Sequence, residues 1–192
     1  MPFKFRRLAV KDVLLLEPDI FRDERGFFME TFRRLDFDRE GIEFSPVQEN
    51  HSKSKEGVLR GLHYQANPFA QGKLVRVIRG KVFDVAVDMR KGSDTFAKWV
   101  GVELSEQDRL MLLIPRGFAH GFVALEEDTE VTYLADNDYS KPHERGVVWD
   151  DPRIGIKWPV VQPVLSEKDM HWPTLEEAQV FEWTPLDKKT LL

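Results

Sequence analysis

Short β-rich runs separated by turn residues dominate the pattern of hydrophobic and polar positions along the chain. They predict strands at residues 13–17, 27–32, 58–64, 74–78, 82–89, 99–104, 110–114, 121–125, 130–135 and 146–149. This spacing is typical of an all-β sandwich or barrel. The run at 82–89 alternates most regularly, with Asp84, Ala86 and Asp88 on the face opposite its large apolar residues.

Helix signals are few. Residues 32–40 and 174–180 each fit a short helix, the second with Thr174 and Glu177 as a capping box. The many prolines after residue 158 make the C-terminal part look irregular, and we expect residues 160–192 to wrap around the β core. No repeat, low-complexity tract or linker interrupts the chain, so residues 1–192 are interpreted as a single domain.

The composition is ordinary for a globular protein, with 42% hydrophobic and 32% charged residues among 192. The net charge of −5 argues against a nucleic-acid partner, because such proteins need a basic face. The absence of Cys excludes disulfides and thiolate chemistry. No stretch approaches roughly 20 apolar residues and no signal-peptide pattern is visible, so we expect no membrane association and a cytoplasmic location.

Candidate chemistry concentrates between residues 48 and 84. Arg60, His63 and Lys73 fall in or beside neighbouring predicted strands, within an apolar framework. Arg60 and His63 have opposite parity in a regular strand, so their side chains would point to opposite faces. Gly61 lies between them, and a β-bulge there would turn both side chains toward one pocket. We therefore expect a bulge near Gly61.

A second group of polar residues follows the strand predicted at 110–114. Pro115, Gly117 and His120 have the spacing of the second cupin motif, which places a His inside the barrel. The first cupin motif ordinarily supplies His-x-His and a following Glu as metal ligands, whereas this chain reads His63-Tyr64-Gln65. Because an intact ligand set is missing, we expect no metal site.

Three further residues are ambiguous when taken alone. Tyr133 lies in a predicted strand, where a Tyr is usually half-buried packing. Ser166 is interpreted as a turn or cap residue, and Asp169 by default as a solvated surface carboxylate. A functional role for any of these three residues can be inferred only together with the other motifs of the chain.

Nine segments together resemble the dTDP-4-dehydrorhamnose 3,5-epimerase family. They are residues 22–30, 48–50, 57–65, 71–73, 83–90, 115–122, 133–139, 149–152 and 165–169, and they occur in the expected order. The resemblance implies a cupin-type jelly-roll β-barrel with a few short peripheral helices, a homodimer and no cofactor. It also implies epimerisation at C3 and C5 of dTDP-4-keto-6-deoxyglucose to dTDP-4-keto-L-rhamnose, in dTDP-L-rhamnose biosynthesis.

The resemblance also implies roles for individual residues. His63 would be the base, held by Asp169, and Tyr133 the opposing acid. Arg60, Lys73 and His120 would surround the sugar, and Tyr139 would stack on thymine. The nucleotide and its phosphates would be bound by Arg25, Glu30, Gln48, Asn50, Glu144 and Lys168.

The chemistry of the implied reaction gives two of these residues more specific tasks. Removing a proton next to a ketone creates an enolate, whose oxygen needs a preorganised donor, and Lys73 is the candidate. His120 is expected to share a hydrogen bond with Asp84. Three alternatives remain open: a single-site epimerase or ketoisomerase on a related sugar, a metal-dependent cupin, and a non-catalytic cupin that only binds a sugar nucleotide.

Overall fold

The structure is a computed structural model that describes residues 3–182. Its longer strands are β1 (Phe3–Arg7), β2 (Leu14–Pro18), β5 (Gln48–Ser54), β6 (Leu59–Gln65), β7 (Lys73–Arg79), β8 (Lys81–Asp88), β10 (Trp99–Ser105), β11 (Met111–Ile114), β12 (Phe118–Ala124) and β13 (Thr129–Ala135). Its shorter strands are β3 (Phe21–Asp23), β4 (Gly26–Phe28), β9 (Arg90–Lys91), β14 (Glu144–Gly146) and β15 (Phe181–Glu182). The helical elements of the described residues are α1 (Arg34–Arg39), α2 (Glu167–Met170) and a 3₁₀ turn (Lys141–His143).

Most strands belong to two antiparallel sheets. One has six strands in the order β1-β2-β11-β7-β13-β5, and the other has five in the order β10-β8-β12-β6-β14. An apolar core that includes Val75, Leu112, Ala86 and Phe122 joins side chains of both sheets. This two-sheet jelly roll confirms the predicted all-β, cupin-type fold. Within residues 3–182 the two sheets are not hydrogen-bonded into one closed ring.

Apolar clusters also cover the outer face of each sheet. Helix α1 and the following loop supply Phe37 and Phe44, which pack on Leu74 and Met111 of the six-stranded sheet. Residues 147–181 cover the five-stranded sheet, where Val85 and Val87 of β8 and the following Met89 are fully buried. The sheets are therefore buried on both faces over much of their area, which explains the nearly continuous apolar runs in their strands.

Strand β8 alternates as predicted, but its polar face points inward. Asp84 and Asp88 are both 0% exposed. Asp88 accepts hydrogen bonds from the Arg90 guanidinium and from the hydroxyls of Ser93 and Thr95. These buried carboxylates need such partners, because an unpaired charge in this position would cost several kcal/mol.

Several predicted boundaries were wrong. The strand predicted at 27–32 is β4 and ends at Phe28, and the strand predicted at 146–149 ends at Gly146 instead. Strands β1, β3, β5, β9 and β15 were not predicted. Strand β5 is an edge strand made almost entirely of polar residues, so hydrophobic alternation gave no signal for it.

The helix predictions had mixed outcomes. Helix α1 confirms the prediction at 32–40 over a shorter range. The helix predicted at 174–180 is wrong: Thr174 begins a single turn, because the chain must then extend to pair β15 with β9. The missed helix, α2, has Ser166 as its N-cap, where its hydroxyl accepts from the backbone N–H of Asp169, as expected of a cap residue.

The C-terminal segment contacts the β core at several points. Val164 pairs with Val58, and the hydroxyl of Tyr64 donates to the carbonyl of Gln179. Part of the wrap predicted at 160–192, residues 183–192, lies outside the described residues. The single-domain organisation stays a prediction. Within residues 3–182 no helix is both long and apolar enough to cross a membrane.

Candidate active site

A cavity of about 450 Å³ gathers eight of the residues implied by the resemblance. Its walls come from both sheets and from α2. The site residues in its lining are Arg60, His63, Lys73, His120, Tyr133, Glu144, Lys168 and Asp169. Another cavity, of about 500 Å³, lies beside Arg90 and Asp136. None of the predicted site residues lines it, so its volume alone does not make it a candidate active site.

The predicted bulge at Gly61 is present. Along β12 only Gly121 separates His120 from Phe122, whereas along β6 their partners His63 and Arg60 are separated by two residues. Gly61 has φ +142°, and the peptide bond that follows it is cis. A Cβ on Gly61 would lie 2.6 Å from the Cα of Gly121, so the close approach requires glycine. The extra residue brings Arg60 and His63 to the same cavity.

His63 and Asp169 form a close pair. His63 Nε2 lies 2.5 Å from Asp169 Oδ1, and the Asp169 residue is only 3% exposed. The default expectation that Asp169 is solvated surface is therefore wrong, because α2 tucks it behind His63. An ionised carboxylate can only accept, so Nε2 carries the proton and Nδ1 is left as the basic nitrogen.

The surroundings of this pair favour a neutral imidazole beside a carboxylate. Burial lowers the pKa of His63 below its usual value, and the ammonium groups of Lys73 and Lys168 lower it further. The carboxylate of Asp169 raises this pKa, but not enough to cancel the other effects. Burial alone would raise the pKa of Asp169, but the hydrogen bond from His63 and those of Ser166 and Trp172 hold it lower than usual. His63 thus has the protonation state that a general base needs near neutral pH.

Tyr133 and Lys73 come from the opposite sheet. Lys73 Nζ lies 5.5 Å from the centre of the Tyr133 ring. Burial raises the pKa of Tyr133, so its phenol keeps its proton. Burial also lowers the pKa of Lys73 to about 8, while the carboxylates of Asp84 and Glu144 act against this shift. The cavity is therefore lined by a protonated phenol from one sheet and a neutral imidazole from the other.

His120 is anchored by the residue expected to hold it. Its Nε2 lies 3.0 and 3.1 Å from the two carboxylate oxygens of Asp84, and both residues are buried. This confirms the hypothesis of an Asp84–His120 hydrogen bond. Asp84 fixes the ring of His120 at the cavity wall and leaves its other nitrogen for a bound molecule.

Five of the residues expected at the nucleotide form one hydrogen-bonded chain. Gln48 donates to Asn50 and accepts from the backbone N–H of Tyr139. The hydroxyl of Tyr139 donates to one oxygen of Glu144, and Lys168 donates to the other at 2.6 Å. These contacts connect β5, β14 and α2 along one side of the cavity.

Arg25 and Glu30 are not brought to the cavity of their own chain. Arg25 lies in the turn between β3 and β4, highly exposed, and pairs with Asp23. Glu30 lies 3.8 Å from Arg33. Arg60 does reach the cavity, where its guanidinium donates to the Ser54 hydroxyl and a backbone carbonyl.

One contact of the His63–Asp169 pair was not predicted from the sequence. The indole Nε1–H of Trp172 donates to Asp169 Oδ1 at 3.2 Å. Its only sequence signal is its position three residues after Asp169, which would place both side chains on one side of a continued helical turn. Among residues 3–182, no group of three or more His, Cys, Asp or Glu side chains is arranged to hold a metal ion.

Comparison with known proteins gives a consistent result. The family model described as dTDP-4-dehydrorhamnose 3,5-epimerase matches residues 7–177. The dTDP-4-dehydrorhamnose 3,5-epimerase of Shigella flexneri is 54% identical over 176 residues, which is 91% of this chain and 97% of that protein.

Solved structures agree with the sequence comparison. The crystal structure of dTDP-4-dehydrorhamnose 3,5-epimerase from Sulfolobus tokodaii has a TM-score of 0.88 and 47% identity, over 95% of this chain and 100% of that chain. The epimerase from Legionella pneumophila, solved in complex with dTDP-4-keto-L-rhamnose, has a TM-score of 0.91 and 40% identity, over 95% and 99% of the two chains. The chain therefore belongs to the dTDP-4-dehydrorhamnose 3,5-epimerase family.

Proposed function

We propose that this protein epimerises dTDP-4-keto-6-deoxyglucose at C3 and C5 to give dTDP-4-keto-L-rhamnose, in dTDP-L-rhamnose biosynthesis. One observation carries the proposal: the His63–Asp169 pair and the Tyr133 phenol extend into one cavity from opposite sheets. Inverting a carbon requires a base on one face and an acid on the other, and this arrangement supplies both. A protein that only binds a sugar nucleotide needs neither.

The first half of the proposed reaction removes a proton from carbon. Nδ1 of His63 takes the proton from C3 or C5, and the C–H electron pair moves into the C4 carbonyl to form an enolate. The Asp169 carboxylate stabilises the resulting imidazolium through Nε2–H. The ammonium group of Lys73 stabilises the enolate oxygen, a contribution of about 3–4 kcal/mol by analogy with oxyanion holes.

The second half returns a proton to the opposite face. The Tyr133 hydroxyl donates its proton to the carbon while the enolate collapses to the ketone. Solvent then reprotonates the tyrosinate and accepts the proton from His63. The ketone of the substrate is the electron sink throughout, so the proposed reaction needs no metal or nicotinamide, and treatment with EDTA is expected to leave the rate unchanged.

The polar side of the cavity is proposed to bind the nucleotide. Arg60 and Lys168 bring positive charge to the cavity, which suits a diphosphate, and Arg binds phosphate in a bidentate geometry. Tyr139 is 51% exposed beside Glu144, so its ring is free to stack on a base. Gln48 and Asn50 extend this polar surface along β5.

We further propose that the protein is a homodimer in which β3 and β4 contact the partner. Phe21, Phe27 and Phe28 of this hairpin are 61%, 51% and 66% exposed, which is unusual for large apolar residues in a monomer. Arg25 and Glu30 lie beside these residues and away from their own cavity. Placed at the cavity of a second copy, they would supply the remaining nucleotide contacts. The expected cytoplasmic location stays a prediction.

The decisive test is incubation with dTDP-4-keto-6-deoxyglucose in heavy water, with deuterium at C3 and C5 followed by NMR. Exchange at both carbons is expected, and the His63→Asn variant should lose it by about 10²- to 10⁴-fold because the base is removed. Exchange at one carbon would replace the proposal by a single-site epimerase. Absence of exchange in folded protein that binds dTDP would indicate a non-catalytic binding protein.

A further inference from the structure

Trp172 lies directly behind the His63–Asp169 pair. Its indole Nε1–H donates at 3.2 Å to Oδ1 of Asp169, the same oxygen that lies 2.5 Å from His63 Nε2. Its ring meets the His63 ring edge to face, with the centroids 5.8 Å apart. Trp172 does not line the cavity, so it contacts the pair and not a molecule bound there.

The neighbouring strand leaves space for this indole. Gly146 of β14 pairs with His63 across the sheet. A Cβ at position 146 would overlap the indole atoms of Trp172, so any larger residue would displace the ring. The indole is thus fixed from two sides, by the backbone of β14 and by the hydrogen bond to Asp169.

We propose that Trp172 is a positioning residue for the base, whose indole N–H and ring hold Asp169 and His63 as one unit in the neutral-imidazole form. The inference rests on the proposed function, because it takes His63 as the base. An N–H donor on the carboxylate stabilises its negative charge, so less of that charge is available to stabilise an imidazolium. The ring also keeps water from the back of the pair, which disfavours the charged form of His63.

Other charged groups face His63 and must be distinguished from Trp172. Asp169 and Lys168 come from α2, and Lys73 comes from β7. The same cavity also presents the ionisable side chains of Arg60, His120, Tyr133 and Glu144. Of these groups, Asp169 accepts from the indole and Lys168 Nζ lies 5.8 Å from the centre of its ring, whereas the others face the pair from the cavity side. A variant that keeps an aromatic ring at position 172 therefore changes the surroundings of Lys168 least.

Trp172→Phe keeps an aromatic ring but removes the N–H donor and part of the ring surface. We expect the pKa of His63, followed by NMR of its ring protons, to rise in this variant, and to rise further in Trp172→Leu. The acid limb of the kcat/KM profile should move to higher pH in parallel. At pH values on that limb we expect a loss of roughly three- to tenfold, and above neutral pH less than about twofold, because there the imidazole is neutral in both proteins.

The matched control is Trp158→Phe. The indole of Trp158 also donates a hydrogen bond, to the carbonyl of Trp149 at 2.8 Å, and packs on Phe83 away from the cavity. This control should leave the pKa of His63 unchanged. In the unmodified protein, the indole N–H signal of Trp172 should shift with the same midpoint as the ring of His63, a readout that does not depend on any variant folding.

Two results would overturn the proposal. One is a Trp172→Phe variant whose activity falls equally at all pH values while the titration of His63 is unchanged, since that pattern describes a purely structural role. The other is an indole signal that does not follow the titration of His63. Because both NMR titrations are made without substrate, they remain interpretable even if the protein does not catalyse the proposed epimerisation.

Discussion

Lys73 is the residue whose ionisation most directly limits the proposed reaction at high pH. Burial lowers its pKa to about 8, so its ammonium group loses its proton as the pH rises through that value. The proposed enolate then loses its cationic partner. We expect kcat to fall by about tenfold per pH unit above pH 8, as for a single ionisation.

The Lys73→Arg variant tests this assignment. Because a guanidinium stays protonated throughout the accessible range, the decline above pH 8 should disappear even if the maximal rate is lower. Lys73→Met should instead lower kcat by roughly 10²- to 10³-fold at all pH values. A Lys73→Arg profile that keeps the decline at pH 8 would assign it to another group.

Tyr133→Phe separates proton removal from proton return. His63 remains, so the substrate C–H should still exchange with deuterium from solvent, whereas inversion requires an acid on the other face. We expect product formation to fall by about 10²- to 10⁴-fold, and exchange into recovered substrate to fall much less. Mass and NMR analysis of recovered substrate and product distinguishes the two. An equal loss of both would mean that Tyr133 does not act only as the returning acid.

For individual residues, the sequence motifs identified most of the polar side chains that line the cavity, but not all the contacts between them. His63, Lys73 and Tyr133 lie in strands, so their faces follow from parity once the bulge at Gly61 is included. Asp169 and Trp172 lie about a hundred residues after His63, in a segment whose path over the sheet no local pattern specifies. Their contact with His63 is purely tertiary and was beyond prediction from periodicity.

Among the elements, the bulge in β6 has the largest consequence for the site. Gly61→Ala introduces a Cβ that would lie 2.6 Å from the Cα of Gly121, at a φ of +142°. We expect a loss of roughly 3 kcal/mol or more in the free energy of unfolding, because neither backbone can move freely within its sheet. Activity should fall further than stability explains, since Arg60 and His63 would no longer share the cavity.

Gly57→Ala is the matched control for this prediction. Gly57 also has a positive φ, +77°, but a Cβ there meets nothing within 4 Å. It should cost only about 1–2 kcal/mol, the price of a left-handed backbone without a steric clash, and should preserve activity at temperatures where the protein is folded. Equal losses in the two variants, measured by denaturant unfolding and kcat/KM, would contradict the role given to the bulge.

The central strands could be predicted because they are apolar or alternate cleanly, as β7, β8 and β13 do. The edge strand β10 was predicted too, but the edge strands β1 and β5 were not. Strand β5 is polar on both faces because its inner side chains belong to the polar side of the cavity and its outer side is exposed. Helix α2 has four residues, too few for a helical period, and only Ser166 marked its start.

At the scale of the whole molecule, the proposed dimer predicts that each cavity uses residues from two chains. The variants His63→Asn and Arg25→Ala should each be impaired as homodimers. In a mixed dimer, the cavity of the His63→Asn chain would carry both substitutions, because its partner supplies the Arg25→Ala change. The cavity of the Arg25→Ala chain would carry neither. Co-expression of equal amounts should therefore restore about a quarter of the unmodified activity, from random pairing with one intact cavity per mixed dimer.

The result is measured on dimers isolated after co-expression, with separately expressed and unmixed variants as the baseline. Activity that stays at the mean of the two variants would show that Arg25 does not serve a partner's cavity. Sedimentation of Phe28→Asp provides an independent check, because a charge at this exposed aromatic position should shift the protein toward monomer.

In the proposed mode of binding, the short helix α2 would support both ends of the substrate. Its adjacent residues Lys168 and Asp169 contact Glu144, which is proposed to lie at the nucleotide, and His63, which is proposed to act on the sugar. A bound diphosphate that draws Lys168 away from Glu144 would therefore act on the same helical turn that orients His63. Binding of the nucleotide would then influence the orientation of the base, and we expect a free keto-sugar without its nucleotide to lose turnover as well as affinity.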